Sequence, residues 1–180
     1  MRRRIPLALA PSLELPAAAI AKRGFAPAAG AASAWTLAFA AALLEMSVPA
    51  ALRQGDEDLA AAVDRATVLR RQTLRLGDED QRAVAALAGA PPTDDALRRA
   101  SEVPRVLVLH GSELVRLAVE TRALVTGPSR ADLKAAAILA AAACSAAAEL
   151  VAANLAAIDV AAGEKTARLA RDAGDKCLQG

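Results

Sequence analysis

The chain has 180 residues, of which 55% are apolar although only 2% are aromatic. Most of the apolar residues are alanine, the strongest intrinsic helix former, whereas sheets favour β-branched and aromatic side chains. The composition therefore predicts a single all-α domain over residues 1–180 and excludes sandwiches and barrels. Its 22 basic and 20 acidic residues are interspersed. Without aromatic side chains between the charges, binding to nucleic acid is not expected.

The few residues that could bind a metal are too scattered to form a site. Cys144, Cys177 and the single His110 show no spacing typical of a metal or redox motif. A chain of this length needs no disulfide scaffold, so a reducing cytoplasm is the expected compartment. His110 is a candidate proton shuttle or, alternatively, a structural histidine.

Neither the first residues nor the two long apolar segments indicate export or a membrane. Residues 1–13 are expected to form an irregular tail, since prolines break the apolar run that follows the first arginines. Residues 24–44 are uncharged, but alanine, glycine and serine contribute little transfer free energy. With residues 135–148 they are interpreted as central helices of a bundle, surrounded by neighbours.

The first half of the chain predicts three helices. One runs from Ala29 to Val48, before a proline. A second begins with the acidic residues 56–58, and Gly77 interrupts or bends it. The acidic residues 78–80 then precede a further helical stretch to about Ala88, which the prolines at positions 91 and 92 close.

Two longer helices follow. Thr93 is an expected N-cap for a helix that runs towards Val125 and kinks near Pro104, because proline lacks the N–H that a helix interior needs. Ser129 is expected to cap the last helix, which runs from Arg130 to about Ala161 or continues into an amphipathic tail that ends near Lys176. Together these elements predict a compact, mostly antiparallel bundle of about five helices.

Four short blocks occur in an order known from one family. They are Pro27-Ala28-Ala29-Gly30 with the helix ending in Glu45-Met46, then Asp78-Glu79-Asp80, then Glu102-Val103-Pro104, and finally Asp132 with Asn154-Leu155. Over roughly residues 14–160 the chain thereby resembles the formimidoyltetrahydrofolate cyclodeaminases and the related methenyltetrahydrofolate cyclohydrolases. The resemblance implies a homodimer and a folate substrate with a formimino or methenyl group, without a separate cofactor.

The chain also departs from this family. Ala28 and Ala29 stand where members carry two glycines of a three-glycine loop, and the basic segment after the first helix is missing. Ala131 and Leu150 replace a serine and an asparagine of the family pattern. Several polar positions have become apolar, which indicates an altered or lost site.

The resemblance assigns residues to a site. Asp80 and Asp132 lie at family-like positions and, with Glu102 beside the proline, are the candidate catalytic carboxylates, while the candidate substrate-binding residues are Pro27, Gly30 and Asn154. Each acid also has a structural explanation. Asp80 and Asp132 could be first-turn acids that interact with a helix dipole, and Glu102 could pair with a nearby arginine.

Three functions follow from these observations. The leading one is a divergent cytoplasmic cyclodeaminase or cyclohydrolase of folate one-carbon metabolism, in bacteria to judge from the arginine and alanine content. The main alternative is a catalytically silent bundle dimer with a structural or interaction role. A third is the same scaffold used for another small-molecule cyclisation or hydrolysis. The small-residue positions 32, 36 and 40, and 136, 140, 143 and 147, are expected to pack in the dimer.

Overall fold

A computed structural model describes residues 10–22, 28–87 and 91–158 and the single positions 165, 168 and 172. Within these residues every regular element is helical. The helices are α1 (Ala10–Ala21), α2 (Ala29–Ser47), α3 (Ala50–Arg53), α4 (Glu57–Ala85), α5 (Asp94–Leu124) and α6 (Ser129–Ala156). The predicted all-α class is confirmed.

Helices α2, α4, α5 and α6 form an antiparallel bundle. Glu45 of α2 pairs with Arg70 of α4, and Gly30 lies against Asp80, so the two helices run in opposite directions. The ion pair between Arg65 and Glu113 joins α4 to α5. At the other face of α5, Gly111 packs on Cys144 of α6. Each neighbour in this series reverses direction, as short connections between helices require.

Small side chains allow the helices to approach closely. A Cβ atom on Gly77 of α4 would lie 3.2 Å from Nε1 of Trp35, and one on Gly111 would lie 2.8 Å from Cβ of Cys144. The core between the helices combines alanines of α2 and α6 with leucines and valines of all four helices, including Leu37, Leu44, Leu69, Leu107, Leu114, Leu133 and Val115. A dense core of this kind tolerates little change in volume.

The predicted starts of two helices are confirmed. Thr93 is the cap that the sequence predicts, whereas Asp56, predicted as a first-turn acid, is the N-cap of α4. Asp56 accepts hydrogen bonds from the backbone N–H groups of Asp58 and Leu59, both at 3.0 Å, at the start of α4. Thr93 accepts one from the N–H of Ala96 at the start of α5. These side chains occupy donors that the first turn of a helix leaves without partners.

Three local predictions are wrong. Helix α4 continues through Gly77, where the absence of a side chain leaves room for Trp35 to pack against the helix. Ser129 is the first residue of α6 and not its cap, since Pro128 holds that position without a side-chain hydrogen bond. The tail predicted to be irregular over residues 1–13 is helical from Ala10, where α1 begins. Pro11 is compatible with the first turn of α1, because the backbone N–H groups of a first turn have no partner within the helix.

Helices α2 and α6 are long and apolar enough to cross a membrane by length and composition, and half of each apolar window is buried inside the bundle. Their apolar surface is therefore partly explained by packing against each other and against α5. Pro104 lies buried inside α5, which remains one helix from Asp94 to Leu124. Helix α6 ends at Ala156, with Ala157 as its C-cap, which is earlier than the end predicted near residue 161.

Candidate functional site

The Asp80 carboxylate lies at the N-terminus of α2. It is 2% exposed, and it accepts a hydrogen bond from the backbone N–H of Ala31 in the first turn of that helix. The N-cap residue of α2, Ala28, makes no side-chain hydrogen bond of its own. A carboxylate from α4 thus occupies a donor that the sequence near α2 leaves without a partner.

This position corrects the structural explanation given for Asp80. Asp80 lies in the interior of α4, five residues before its end at Ala85, so it is not a first-turn acid of its own helix. Asp80 does interact with a helix dipole, but the dipole is that of α2 and not that of its own helix, α4. Only tertiary packing brings the two together, because Gly30 and Asp80 are far apart in sequence.

The environment of Asp80 favours its neutral form. Burial raises the pKa of this carboxyl, and the hydrogen bond from Ala31 opposes that effect only in part. The second oxygen, Oδ2, is buried and has no hydrogen-bond partner among the described residues. A buried carboxyl with an open oxygen is the kind of group that enzymes use to give and take protons near neutral pH.

Gly30 makes room for this carboxylate. A Cβ atom at position 30 would overlap Oδ1, Cγ and Oδ2 of Asp80. Glycine is therefore required here for close approach and not for an unusual backbone conformation, since Gly30 lies within a regular helix. The two residues that the resemblance had named for separate roles are in direct contact.

The antiparallel register places other predicted residues at the same end of the bundle, which we call the Asp80 end. It contains the start of α2, the end of α4, the start of α5 and the end of α6. Glu102 lies near the start of α5, and the partly buried Asn154 lies in the last turn of α6. Pro27 lies outside the described residues.

Asp132 lies at the opposite end of the bundle. It belongs to the first turn of α6, near the point where Arg130 donates hydrogen bonds to the carbonyl oxygens of Arg122 and Val125. Asp132 and Asn154 are separated by 22 residues of one helix, or about 33 Å along its axis. Within one chain, Asp132 and Asp80 do not form a common site.

Glu102 is exposed and paired. Its Oε1 atom accepts a hydrogen bond from Arg105, at 3.3 Å, one turn further along α5. Both side chains are more than half exposed, so the pair is weak and hydrated. The alternative role predicted for Glu102, an ion pair with a neighbouring arginine, is present in the structure.

His110 faces the contact between α4 and α5. It lines an open groove of about 240 Å³ with Gln72, Arg75, Leu76, Glu79 and Val106. Burial lowers the pKa of His110, the positive charge of Arg65 lowers it further, and Glu113 acts in the opposite direction. The neutral imidazole is therefore favoured. Its buried Nδ1 atom has no hydrogen-bond partner within the described part of the chain.

Sequence reasoning missed the contacts that give these residues their properties. Neither the cap that Asp80 supplies to α2 nor the contact of Trp35 with Gly77 follows from helical periodicity. One available signal was the absence of a capping side chain before α2, which requires that another group satisfy its first N–H donors.

Comparisons with known proteins agree with this architecture. The family described as Formiminotransferase-cyclodeaminase matches residues 13–171. The crystal structure of formiminotetrahydrofolate cyclodeaminase from Thermotoga maritima superposes with a TM-score of 0.77 at 20% identity, over 97% of this chain and 93% of that one. At this identity the likeness shows a shared fold. No curated protein matches the chain.

Proposed function

Because the chain belongs to the formiminotransferase-cyclodeaminase family, we propose that it is a cyclodeaminase or cyclohydrolase acting on a formimino- or methenyl-tetrahydrofolate. The observation that supports this proposal best is Asp80, a buried carboxyl with a raised pKa and an open oxygen at a helix N-terminus.

The chemistry requires a group that moves protons. In cyclodeamination, N10 of the folate attacks the formimino carbon, N10 loses its proton, and the departing nitrogen gains protons to leave as ammonia. In cyclohydrolysis, water adds to the methenyl carbon, loses a proton, and one carbon–nitrogen bond breaks to give a formyl group. A carboxyl can accept the first proton in its ionised form and donate the next once it is protonated. Asp80 is the proposed group.

The remaining predicted residues take binding roles in this proposal. Gly30 contributes to binding by letting the Asp80 carboxyl reach the first turn of α2, where N–H groups and the helix dipole favour polar or anionic atoms. Asn154, at the same end of the bundle, offers an amide for hydrogen bonding to the pterin or to the one-carbon group. Glu102 and Asp132 are not assigned to catalysis, given their positions.

Binding of a reduced folate tests the site. We expect isothermal titration calorimetry to show that 5-formyltetrahydrofolate, a stable reduced folate, binds with micromolar affinity. Asn154→Ala should weaken this affinity about fivefold, the effect of one hydrogen bond of about 1 kcal/mol. Asp132→Asn is the matched control, and its affinity should equal that of the unmodified chain because Asp132 lies at the other end.

Two results would contradict this proposal. Absence of binding at millimolar folate would exclude a folate site, and the chain would then carry the family fold without the family ligand. Loss of binding in Asp132→Asn, with normal binding in Asn154→Ala, would place the folate site at the end of the bundle opposite to the Asp80 end. Circular dichroism of each variant verifies that the helices persist.

A second candidate function, the silent bundle with a structural or interaction role, is favoured by two observations. Asp80 is only 2% exposed, and Glu102 is occupied by Arg105 at the surface. In this case the Asp80 carboxyl would serve solely as the cap of α2. A stable chain that binds neither folate nor its one-carbon derivatives would support this candidate over the enzyme.

We also propose that the protein is a cytoplasmic homodimer. Support comes from an outer surface that we call the α2–α6 face, formed by Ala32, Thr36, Phe39 and Met46 of α2 and by Ile138, Leu139, Ala142 and Ala146 of α6. Phe39 is 53% and Ile138 48% exposed. The face carries no charge, and contiguous apolar surfaces of this kind are typical of interfaces.

The structure corrects one detail of the predicted interface. Ala40, Ala136, Ala140, Ala143 and Ala147 were expected to pack between two chains, but they are buried inside one chain. They permit the close contact of α2 with its neighbours. Of the residues predicted for the interface, Ala32 and Thr36 remain partly accessible on the outer surface.

The proposed dimer is testable by sedimentation velocity. We expect the unmodified chain to sediment as a dimer and Phe39→Asp to sediment as a monomer, because a charge in the centre of an apolar interface loses its hydration. Leu109→Asp is the matched control, since Leu109 of α5 is 68% exposed and outside the α2–α6 face. A monomeric unmodified chain, or a Phe39→Asp variant that still dimerises, would contradict the proposal.

A further inference from the structure

Besides the groove at His110, a larger cavity lies between α4 and α5, far from the Asp80 end. Its volume is about 630 Å³, within the range of small-molecule sites in proteins. Asp58 at its outer end and Asp80 are 22 residues apart on α4, or about 33 Å along the helix axis. A ligand in this cavity would therefore not contact the proposed folate site.

Two facing stripes of side chains form this cavity, which we call the α4–α5 groove. On α4 the lining residues are Asp58, Ala61, Ala62 and Arg65, and on α5 they include Leu117, Thr121 and Leu124. Each stripe follows the i, i+3, i+4 and i+7 spacing of one helical face. The small alanines of α4 leave the space that leucines fill elsewhere in the core.

One residue that lines the groove has a buried polar atom without a partner. Thr121 is 1% exposed, and its Oγ1 atom makes no hydrogen bond with any residue that the structure describes. The other buried threonine, Thr73, donates to the carbonyl oxygens of Leu69 and Arg70 at 3.0 and 3.1 Å. Leaving a buried hydroxyl without a partner is costly, so such a group indicates that something else completes it.

The charges around the groove restrict the ligand. Arg65 forms a two-pronged pair with Glu113, with both distances 2.6 Å, and Glu120 at the rim pairs with Arg116. Within each pair the positive and negative charges neutralise one another, whereas Asp58 forms no ion pair with any other described residue. The rim is therefore slightly negative, and the interior is mainly apolar.

We propose that the α4–α5 groove binds a small apolar, uncharged molecule through one hydrogen-bonding group held by the Thr121 hydroxyl. Apolar walls supply most of the binding free energy, and the hydroxyl sets the orientation of the ligand. An anion is disfavoured, because it would lose hydration in the groove and lie near Asp58.

The probe for this proposal is N-phenyl-1-naphthylamine, an uncharged aromatic amine whose fluorescence rises in apolar surroundings. We expect saturable binding of one molecule per chain. Ala61→Phe, which fills the groove from an exposed position, should weaken binding at least tenfold. Thr121→Val, which keeps the side-chain shape but removes the hydroxyl, should weaken it about fivefold.

Two controls separate the groove from other apolar surfaces. Leu109→Phe introduces the same side chain at an exposed position outside both the groove and the α2–α6 face, and should leave the affinity unchanged. The sulfonated analogue 8-anilino-1-naphthalenesulfonate should bind at least tenfold more weakly than the uncharged probe. Equal binding by Ala61→Phe and the unmodified chain, loss of binding in Leu109→Phe, or equal affinity for both probes would overturn the proposal. Unchanged binding by Thr121→Val, or no binding at all, would also overturn it.

Discussion

Asp80→Asn should abolish most of the proposed turnover of a methenyl- or formimino-tetrahydrofolate while the fold persists. A positioned acid or base contributes about 100-fold to 10,000-fold to a reaction rate, and an amide cannot take over proton transfer. The asparagine side chain has nearly the same shape and keeps an oxygen that can accept the N–H of Ala31. We therefore expect at least a 100-fold decrease in kcat, with little change in KM, measured by the absorbance of the methenyl group.

The same variant has a second signature that does not depend on activity. Burial raises the pKa of Asp80, so ionisation is more difficult in the folded chain than in the unfolded chain. The stability associated with the neutral carboxyl is fully present below the ordinary pKa of about 3.9 and is lost as pH rises through the raised value. Relative to Asp80→Asn, the unmodified chain should thus become less stable over this interval.

Urea unfolding at several pH values measures this difference. Each tenfold change in the acid constant corresponds to about 1.4 kcal/mol. Comparison of two proteins that differ only at position 80 removes the opposite contribution of Glu113, whose pKa is lowered by its hydrogen bond with Arg65. A constant stability difference from pH 4 to 8 would show that Asp80 is not a perturbed carboxyl, and full activity of Asp80→Asn would exclude its role in proton transfer.

Gly30→Ala should destabilise the chain although alanine is the better helix former. The new Cβ atom would overlap the Asp80 carboxylate, and forced overpacking of this kind costs about 1–3 kcal/mol. The intrinsic preference of helices for alanine over glycine offsets up to about 1 kcal/mol of that cost. The expected net effect is a lower urea midpoint, monitored by circular dichroism.

A double-mutant cycle identifies the cause. If the collision with Asp80 is responsible, then adding Asp80→Ala should recover part of the loss from Gly30→Ala, with a coupling of about 0.5–3 kcal/mol. Gly55→Ala is the matched control, because a Cβ atom there meets nothing closer than a backbone oxygen at 4.0 Å. Its effect should lie within about 0.5 kcal/mol. Strict additivity of the two substitutions at positions 30 and 80 would contradict the explanation.

The helices were largely predictable from the sequence, whereas the environment of the site was not. The composition and the acidic or threonine caps predicted the class and the starts of α4 and α5, because these signals act within a few residues. The predicted break at Gly77 was wrong for a nonlocal reason. The space that glycine leaves there is occupied by Trp35 of another helix, so the residue serves packing and not a bend.

For the candidate site, too, the sequence predicted the residues but not their arrangement in space. The resemblance identified five of the candidate site residues by their positions in the sequence alone. They are Asp80, Gly30, Asn154, Glu102 and Asp132. The bundle brings the first two into contact, places Asn154 and Glu102 at the same end, and moves Asp132 to the other end. An antiparallel register, which depends on how side chains of different helices interlock, decides these distances.

By itself, the sequence determined that this chain folds into helices and that it carries the motifs of a folate enzyme family, since propensity, capping and motif order are written in neighbouring residues. Only the tertiary structure decided that Asp80 caps α2, that its carboxyl loses water and gains a raised pKa, and that Thr121 lines a second cavity. Burial and contact depend on residues remote in sequence, so these properties arise when the helices pack.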